Sequence, residues 1–319
     1  MAGKVRDLRP KGNRNWPGNG LRMGRSPFLH EAWDSLNDRH KAQVRRTPPR
    51  TIPRQLFEDN YSKITIQRDR HMTESKHILY EVEDRIAKIT VNRPKYRNSQ
   101  STPLLYELDE AIMKAGTDPD IRCIVLSGAG DHWSAGHDLG TQEQVEYAAA
   151  HEQGLRGFFQ RTHGSMVETH LRWRNVQKPM ICAVQGYCIF GGWMVASTAD
   201  IIFASDDSLF LGSAFQYFSS PYDIHHRKLK ELLFQGRFIN GAEAKELGFV
   251  NRVIPRAQLM EETMAYARDV AQNDPFDLRM TKIAINQALD AQGFTNHIYN
   301  AHSSYVVRYM NEKDPLYSN

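Results

Sequence analysis

His132-Trp133-Ser134-Ala135-Gly136-His137-Asp138-Leu139 follows one apolar strand-like run, and Gln185-Gly186-Tyr187-Cys188-Ile189-Phe190-Gly191-Gly192 follows another. Both turns carry glycine, and each precedes a segment with helical spacing. Peptide N–H groups at the start of a helix lack an intrahelical partner, so a pair of such turns offers free donors. Donors of that kind can hold an oxygen whose negative charge develops during a reaction. Taken singly, either turn is explained as well by the tight bends glycine permits.

Working outward, residues 78–83 and 86–91 read as strands joined by a turn at Asp84-Arg85, and Pro94 ends the second. Leu104, Leu105, Leu108, Ile112 and Met113 fall at helical spacing. Strands are predicted at 121–126, 179–184 and 201–204, the middle one an apolar run typical of a buried strand. Helices are predicted at 142–169, 191–199, 242–247, 259–272 and 278–291. Strands alternating with helices imply an α/β fold, and the helical end implies packing outward onto a neighbouring subunit.

The 319 residues carry a formal charge of only +4, which marks no dedicated nucleic-acid binder. That figure hides a split. Residues 1–71 hold 16 Lys and Arg against 7 Asp and Glu, while the remainder holds 25 against 30. The head also has six of the fourteen prolines and no apolar period, and reads as a disordered extension, either an appendage or a basic arm for an acidic partner. Its acids argue against a transit peptide, and Met72 reads as the start of the protein proper. The expected organisation is this head, a core over 72–240 and a helical region over 241–319. No apolar run approaches the ~18–20 residues of a membrane span, so no membrane partner is expected. Cys123, Cys182 and Cys188 sit among apolar neighbours without metal-ligand spacing, which suits buried thiols, no metal and a reducing, cytoplasmic setting.

Six blocks in order resemble the crotonase (enoyl-CoA hydratase/isomerase) superfamily over residues 76–291. They are Val91-Asn92-Arg93-Pro94-Lys95 with Asn98; Ser134-Ala135-Gly136-His137-Asp138-Leu139; Lys178-Pro179 through Ala183-Val184-Gln185-Gly186-Tyr187; Gly191-Gly192; Ala199-Asp200-Ile201-Ile202; and Ala242-Glu243-Ala244 with residues 247–253. The resemblance implies a ClpP-like spiral of ββα repeats, a C-terminal helical trimerisation region, and assembly as a homotrimer or hexamer. It implies an acyl-CoA thioester as partner, with coenzyme A entering as part of the substrate and no separate cofactor. By position, the amides of His137 and Gly191 would form the oxyanion hole. Lys95, Tyr96, Arg97, Ser99, Ala135 and Gly136 would lie along the CoA, and Lys282 would reach its phosphates from a neighbouring subunit.

The departure is as informative. Family hydratases place two glutamates where this chain has Met194 and Ala214, and neither residue moves a proton. Candidate replacements are Asp223, His225 and Tyr217, with Ser213, Tyr222, His226, Glu143, Glu146 and His151 nearby in sequence. Asp223 reads equally as a cap for a helix over 227–234, and Asp138 as structural. Trp133, Trp193, Phe190, Phe215, Tyr217 and Phe218 read either as core or as an aromatic acyl pocket. The expected function is acyl-CoA chemistry through a stabilised enolate: hydration, isomerisation, decarboxylation, C–C cleavage or hydrolysis. The competing expectation is a catalytically degenerate acyl-CoA-binding or assembly protein, which the residues at 194 and 214 favour.

Overall fold

The computed structural model describes residues 76–151 and 154–311. The basic head and the expected start at Met72 lie outside the described residues. Strands β1 (Ile78–Glu83) and β2 (Ile86–Val91) form the antiparallel hairpin expected of their alternation. Asp84 and Arg85 turn it, both at positive φ, 50° and 64°. That mirror-image turn matches the twist of the strands it joins. Arg268 pairs with Glu83 and Asp84 there, each at 2.7 Å.

From β2 the sheet runs parallel, through β3 (Cys123–Gly128), β4 (Met180–Val184), β6 (Ile201–Ser205) and β9 (Arg252–Ile254). A parallel neighbour needs a crossover, and the first is α1 (Thr102–Thr117). Ser101 caps α1 by accepting from the Leu104 amide, and Leu104, Leu105, Leu108 and Ile112 point into the core. The third strand lies two residues later than expected. Ile121 is held in the turn before it, its amide bonded to the Asp118 carbonyl, and pairing with β2 begins only at Cys123. All three cysteines are free and buried, and burial pushes the Cys123 thiol up to about 12.

A second, small sheet was not visible in the pattern. It consists of β5 (Tyr187–Ile189), β7 (Leu209–Leu211) and β8 (Ile239–Asn240). β4 and β5 lie in different sheets and are followed by α5 (Gly191–Ala196). β6 and β7 repeat that order before later helices. These two turns of the chain thus each add a strand to both sheets, as in a ββα spiral. Ser134 bridges to Cys188, which puts the His137 turn at the edge of the small sheet beside β5.

The helix expected over 142–169 is not continuous. α2 (Gln142–His151) and α3 (Gly154–Thr162) are separate, with Gly154 at φ 62°, outside helical geometry. α3 runs into a π-helical turn (His163–Glu168) and then α4 (Thr169–Arg174). α6 (Ser220–Asp223), α7 (His226–Gln235) and α8 (Gly241–Glu246) follow. α9 (Leu259–Ala271) lays Met264 and Ala267 on Ile86, Cys123, Val125 and Ile181 of the large sheet. α10 (Pro275–Ala291) buries none of its residues, and Phe276, Met280 and Ile285 are exposed on it. α11 (Phe294–Asn311) returns to the core through Phe294, Ile298 and Val306.

Candidate active site

The two glycine turns meet. Ser134 donates to the Tyr187 carbonyl at 2.9 Å, and its own carbonyl accepts from Ile189 at 3.0 Å. On the other side, Gln100 donates to Gly136 and accepts from Asp138, at 2.8 and 2.9 Å. These bonds occupy the peptide groups flanking His137 and leave its own N–H without a partner among the described residues. The Gly191 N–H, first in α5, is likewise unpaired there, as a first-turn donor should be.

Gly136 stands at φ 92°, and a Cβ on it would meet the Ile189 carbonyl at 2.7 Å and the Gly191 nitrogen at 3.2 Å. A Cβ on Gly191 would meet the His137 Nδ1 at 2.7 Å and the Gln100 Oε1 at 2.5 Å. Gly136 must be glycine for its φ and its backbone neighbours, a Cβ at Gly191 would have to displace the Gln100 and His137 side chains, and the closeness brings the two free amides to one place. Phe190, just before Gly191, holds φ 44° and ψ −105°. Its place in a sparsely allowed region aims the next amide.

Side chains fix the first turn. Arg93 and Asp138 form a buried ion pair at 2.9 Å, and Arg93 also donates to the Ser99 carbonyl. Asp138 accepts from the Gly140 and Thr141 amides and from the Thr141 hydroxyl. Burial works against its charge, but these bonds outweigh it and hold the carboxyl below its ordinary value. This is the structural role expected of Asp138. Asn98 donates to the Ala129 and His132 carbonyls and accepts from the Arg93 amide. The Trp133 indole donates across to the Gly192 carbonyl at 2.8 Å and so ties the first turn to the second.

The residues expected along the CoA cluster by backbone. Lys95, Tyr96 and Arg97 are exposed on one short turn, Ser99 is half-buried, and the Ala135 amide donates to the Arg97 carbonyl. Lys282 lies elsewhere, paired with Asp200 at 2.7 Å and bonded to the Lys178 carbonyl. Met194 is fully buried, and Ala214 is exposed on a groove of about 650 Å³. Phe190, Leu211, Phe218, Leu229 and Leu233 line that groove. Of the other aromatics, Trp133, Trp193, Phe215 and Tyr217 are core residues.

Of the sequence-predicted acid–base candidates, Ser213 and His226 line the groove that holds Ala214, and the others scatter. Asp223 ends α6, and its carboxyl accepts from Ser219. Dense surroundings push it up toward about 7, but the residue is open to solvent, which holds the shift below that value. It does not cap α7; His225 stands at that N-cap, exposed and without a capping bond. The His225 and His226 rings lie 4.3 Å apart, tilted at 34°. Glu143 is taken up by Lys76, His77 and Ser101. Burial opposes its charge, and those bonds nonetheless hold it down at about 2. Glu146 accepts from Gln142, and His151 bonds to the Tyr147 carbonyl of its own helix.

A different set converges. The imidazole of His137 lies against Gly191 with both ring nitrogens buried and unpaired. Gln216 sits beside the ring, out of hydrogen-bonding geometry. Gln100 Oε1, His170 Nε2 and the Tyr217 hydroxyl are also buried without partners, and the His170 and Tyr217 rings are 5.4 Å apart. An unpaired buried polar atom costs about 1–3 kcal/mol, so a group of them marks a site with something left to bind. Burial pushes His137 down to about 4 and His170 well below its ordinary value, leaving both neutral at pH 7. The Tyr217 hydroxyl is raised, also by burial, and stays protonated. Sequence reasoning named His137 for its amide and Tyr217 for its hydroxyl, but missed Gln100 and His170. Both sit far from the glycine turns in the chain, and neither belongs to a recognisable motif.

Comparison with known proteins fits this geometry. A model of the enoyl-CoA hydratase/isomerase family matches residues 81–314. EchA13 of Mycobacterium tuberculosis, whose name assigns it provisionally to the enoyl-CoA hydratases, is 35% identical over 252 residues, which are 72% of this chain and 79% of that protein. The crystal structure of a "probable enoyl-CoA hydratase" from Mycobacterium smegmatis aligns with a TM-score of 0.69 and 39% identity, covering 74% of this chain and 95% of that one. A like structure from Mycobacterium thermoresistibile gives 0.68 and 40%, covering 74% and 97%.

Proposed function

Because this chain belongs to the enoyl-CoA hydratase/isomerase family, with its α/β crotonase fold, we propose that it acts on an acyl-CoA thioester through an enolate. The observation that carries this reading is the meeting of the His137 and Gly191 amides, each unpaired among the described residues. A thioester oxygen gains charge only as the enolate forms. Fixed N–H dipoles therefore favour the transition state over the bound substrate. Removing one such donor typically lowers the rate by about 10²–10³.

The chemistry is proton transfer beside the thioester carbonyl, leading to hydration and dehydration or to a shift of the double bond. CoA enters with the substrate. Its adenosine end is assigned to the exposed turn of Lys95, Tyr96 and Arg97 next to Ala135, and its acyl chain to the groove walled by Phe190 and Leu211. Self-assembly as a trimer or hexamer would cover Phe276, Met280 and Ile285 of α10.

The test is mass spectrometry of the full chain incubated with enoyl-, hydroxyacyl-, malonyl- and cyclic ketoacyl-CoA. Gain or loss of water, or a moved double bond, supports the reading. Loss of CO₂, a cleaved chain or free CoA names another reaction of the enolate class or a hydrolysis. Thioesters bound but returned unchanged would leave a binding protein and overturn the catalytic reading.

A further inference from the structure

The positions at which family resemblance expects carboxylates hold Met194 and Ala214, so a proton must be carried by something else if an enolate forms. Among the described residues, the titratable group at the meeting point of the two amides is the ring of His137. A Cβ on Gly191 would touch its Nδ1 at 2.7 Å, which sets that nitrogen within about 4 Å of the Gly191 Cα, one bond from the donor amide. A thioester oxygen held by the Gly191 N–H at hydrogen-bond distance has its α-carbon two bonds away, so proton transfer to the ring requires that carbon to turn toward it. Both ring nitrogens are buried and unpaired. We propose that the His137 imidazole is the acid–base group of this site, so that one residue grips the oxygen by its amide and carries the proton by its side chain.

The inference rests on the enolate reading above. The step balances without a co-reactant. A neutral ring nitrogen takes the α-hydrogen as a proton, the C–H electron pair enters the α-carbon–carbonyl bond, and the carbonyl π pair moves onto the oxygen held by the amides. The imidazolium returns the proton to the α-carbon or, from a dienolate, to the γ-carbon. Burial makes the ring about as basic as an ordinary carboxylate, which fits a replacement for glutamate. The imidazolium and the enolate would stabilise each other at close range.

The experiment measures exchange of the α-hydrogens of butyryl-CoA in D₂O with the full chain, by mass spectrometry, together with calorimetric binding of butyryl-CoA. The wild type is expected to bind and exchange. His137→Gln is expected to bind within about fivefold and to exchange at least 100-fold more slowly, the lower end of the usual general-base effect. Exchange by H137Q at the wild-type rate overturns the proposal and leaves the enolate reading standing. Absence of exchange by the wild type, with or without binding, overturns the enolate reading and the proposal with it. His137→Asn, smaller and also neutral, replaces H137Q should the latter fail to fold. Should both fail, the wild-type exchange rate is followed from pH 7 down to pH 4 on protein verified as folded. Arg161, His170 and Tyr217 are the other titratable or charged groups about the ring. A rate that does not fall over that range overturns the proposal.

Discussion

The turn that ends in His137 and the turn that ends in Gly191 deliver the same thing, one aimed N–H each, but they are held by different forces. The first is fixed by charge and polar side chains, chiefly the buried Arg93–Asp138 pair and the carboxamide of Asn98. The second has no ion pair among the described residues. It is fixed by the short ladder of the small sheet, by the Trp133 indole on the Gly192 carbonyl, and by the unusual backbone of Phe190. The same output therefore fails in different ways: the first turn when a charge is lost, the second when a shape is lost.

The largest effect should come from Asp138→Ala. It strands the Arg93 guanidinium, whose side chain is 5% exposed, and frees the Gly140 and Thr141 amides. Removing one partner of a buried pair costs about 3–5 kcal/mol. Denaturant unfolding should show that loss, and turnover should fall further than stability because the His137 amide loses its support. A change under 1 kcal/mol would mean that Glu143, 3.4 Å from Arg93, already carries the charge.

Acid should separate the turns next. His137 and His302 are held down to about 4 by burial, below their ordinary 6.5. Between those values the unfolded chain takes up protons that the fold refuses, so stability rises with pH across the window and drains as pH falls through it. Each histidine accounts for at most about 3 kcal/mol. Glu143 works lower down: its carboxyl sits near 2, so its contribution is present above its ordinary 4.5 and is lost between there and 2. Melting temperature followed from pH 7 to pH 4 should decline, and His302→Gln should flatten the slope. An unchanged slope in that variant would remove His302 from the account.

What could be read in advance follows the same division. Strands β1 and β2 were legible to the residue because alternation and a tight turn are local signals. The amides of His137 and Gly191 were singled out through the family resemblance, position by position; the glycine turns alone were explained as well by the tight bends glycine permits. The small sheet was not, since β5, β7 and β8 are two or three residues long, too short to show a period. The interrupted helix near Gly154 was lost because the apolar spacing continues on both sides of it. The buried unpaired polar set was lost for a different reason. Gln100 and His170 look like ordinary strand-end and helix residues, and only tertiary folding sets them beside His137. Trp133 was open to reading as pocket or core; its indole bond to Gly192 assigns it to the scaffold.

Trp133→Phe tests the second turn at its side-chain tie nearest Gly191, the His132 imidazole holding the Tyr187 amide farther back. The ring is nearly kept, but the Gly192 carbonyl loses its donor in a buried place. The expected loss is about 1–3 kcal/mol, or a fall of several degrees in melting temperature. Turnover should drop with it, because Gly191 is the neighbouring residue. A stable variant with full activity would show that the ladder and the remaining ties aim this turn without the indole.

The smallest effect, and the sharpest for the contrast, is at Phe190. A non-glycine residue at φ 44° and ψ −105° costs about 1–3 kcal/mol, whereas glycine adopts that backbone freely. Against this, glycine raises the entropy of the unfolded chain by about 0.5–1 kcal/mol, and the ring, 42% exposed, gives up only part of its burial. Phe190→Gly should therefore be neutral or more stable by about 1 kcal/mol. Phe190→Ala loses the same ring and keeps the strain, so it should be less stable than Phe190→Gly. The gap between the two variants isolates the backbone term from the side chain. A Phe190→Gly variant that loses more than 2 kcal/mol would mean that the ring, not the backbone, shapes the turn. Both variants should weaken binding of long acyl-CoA alike, since both remove the groove wall while leaving the amide in place.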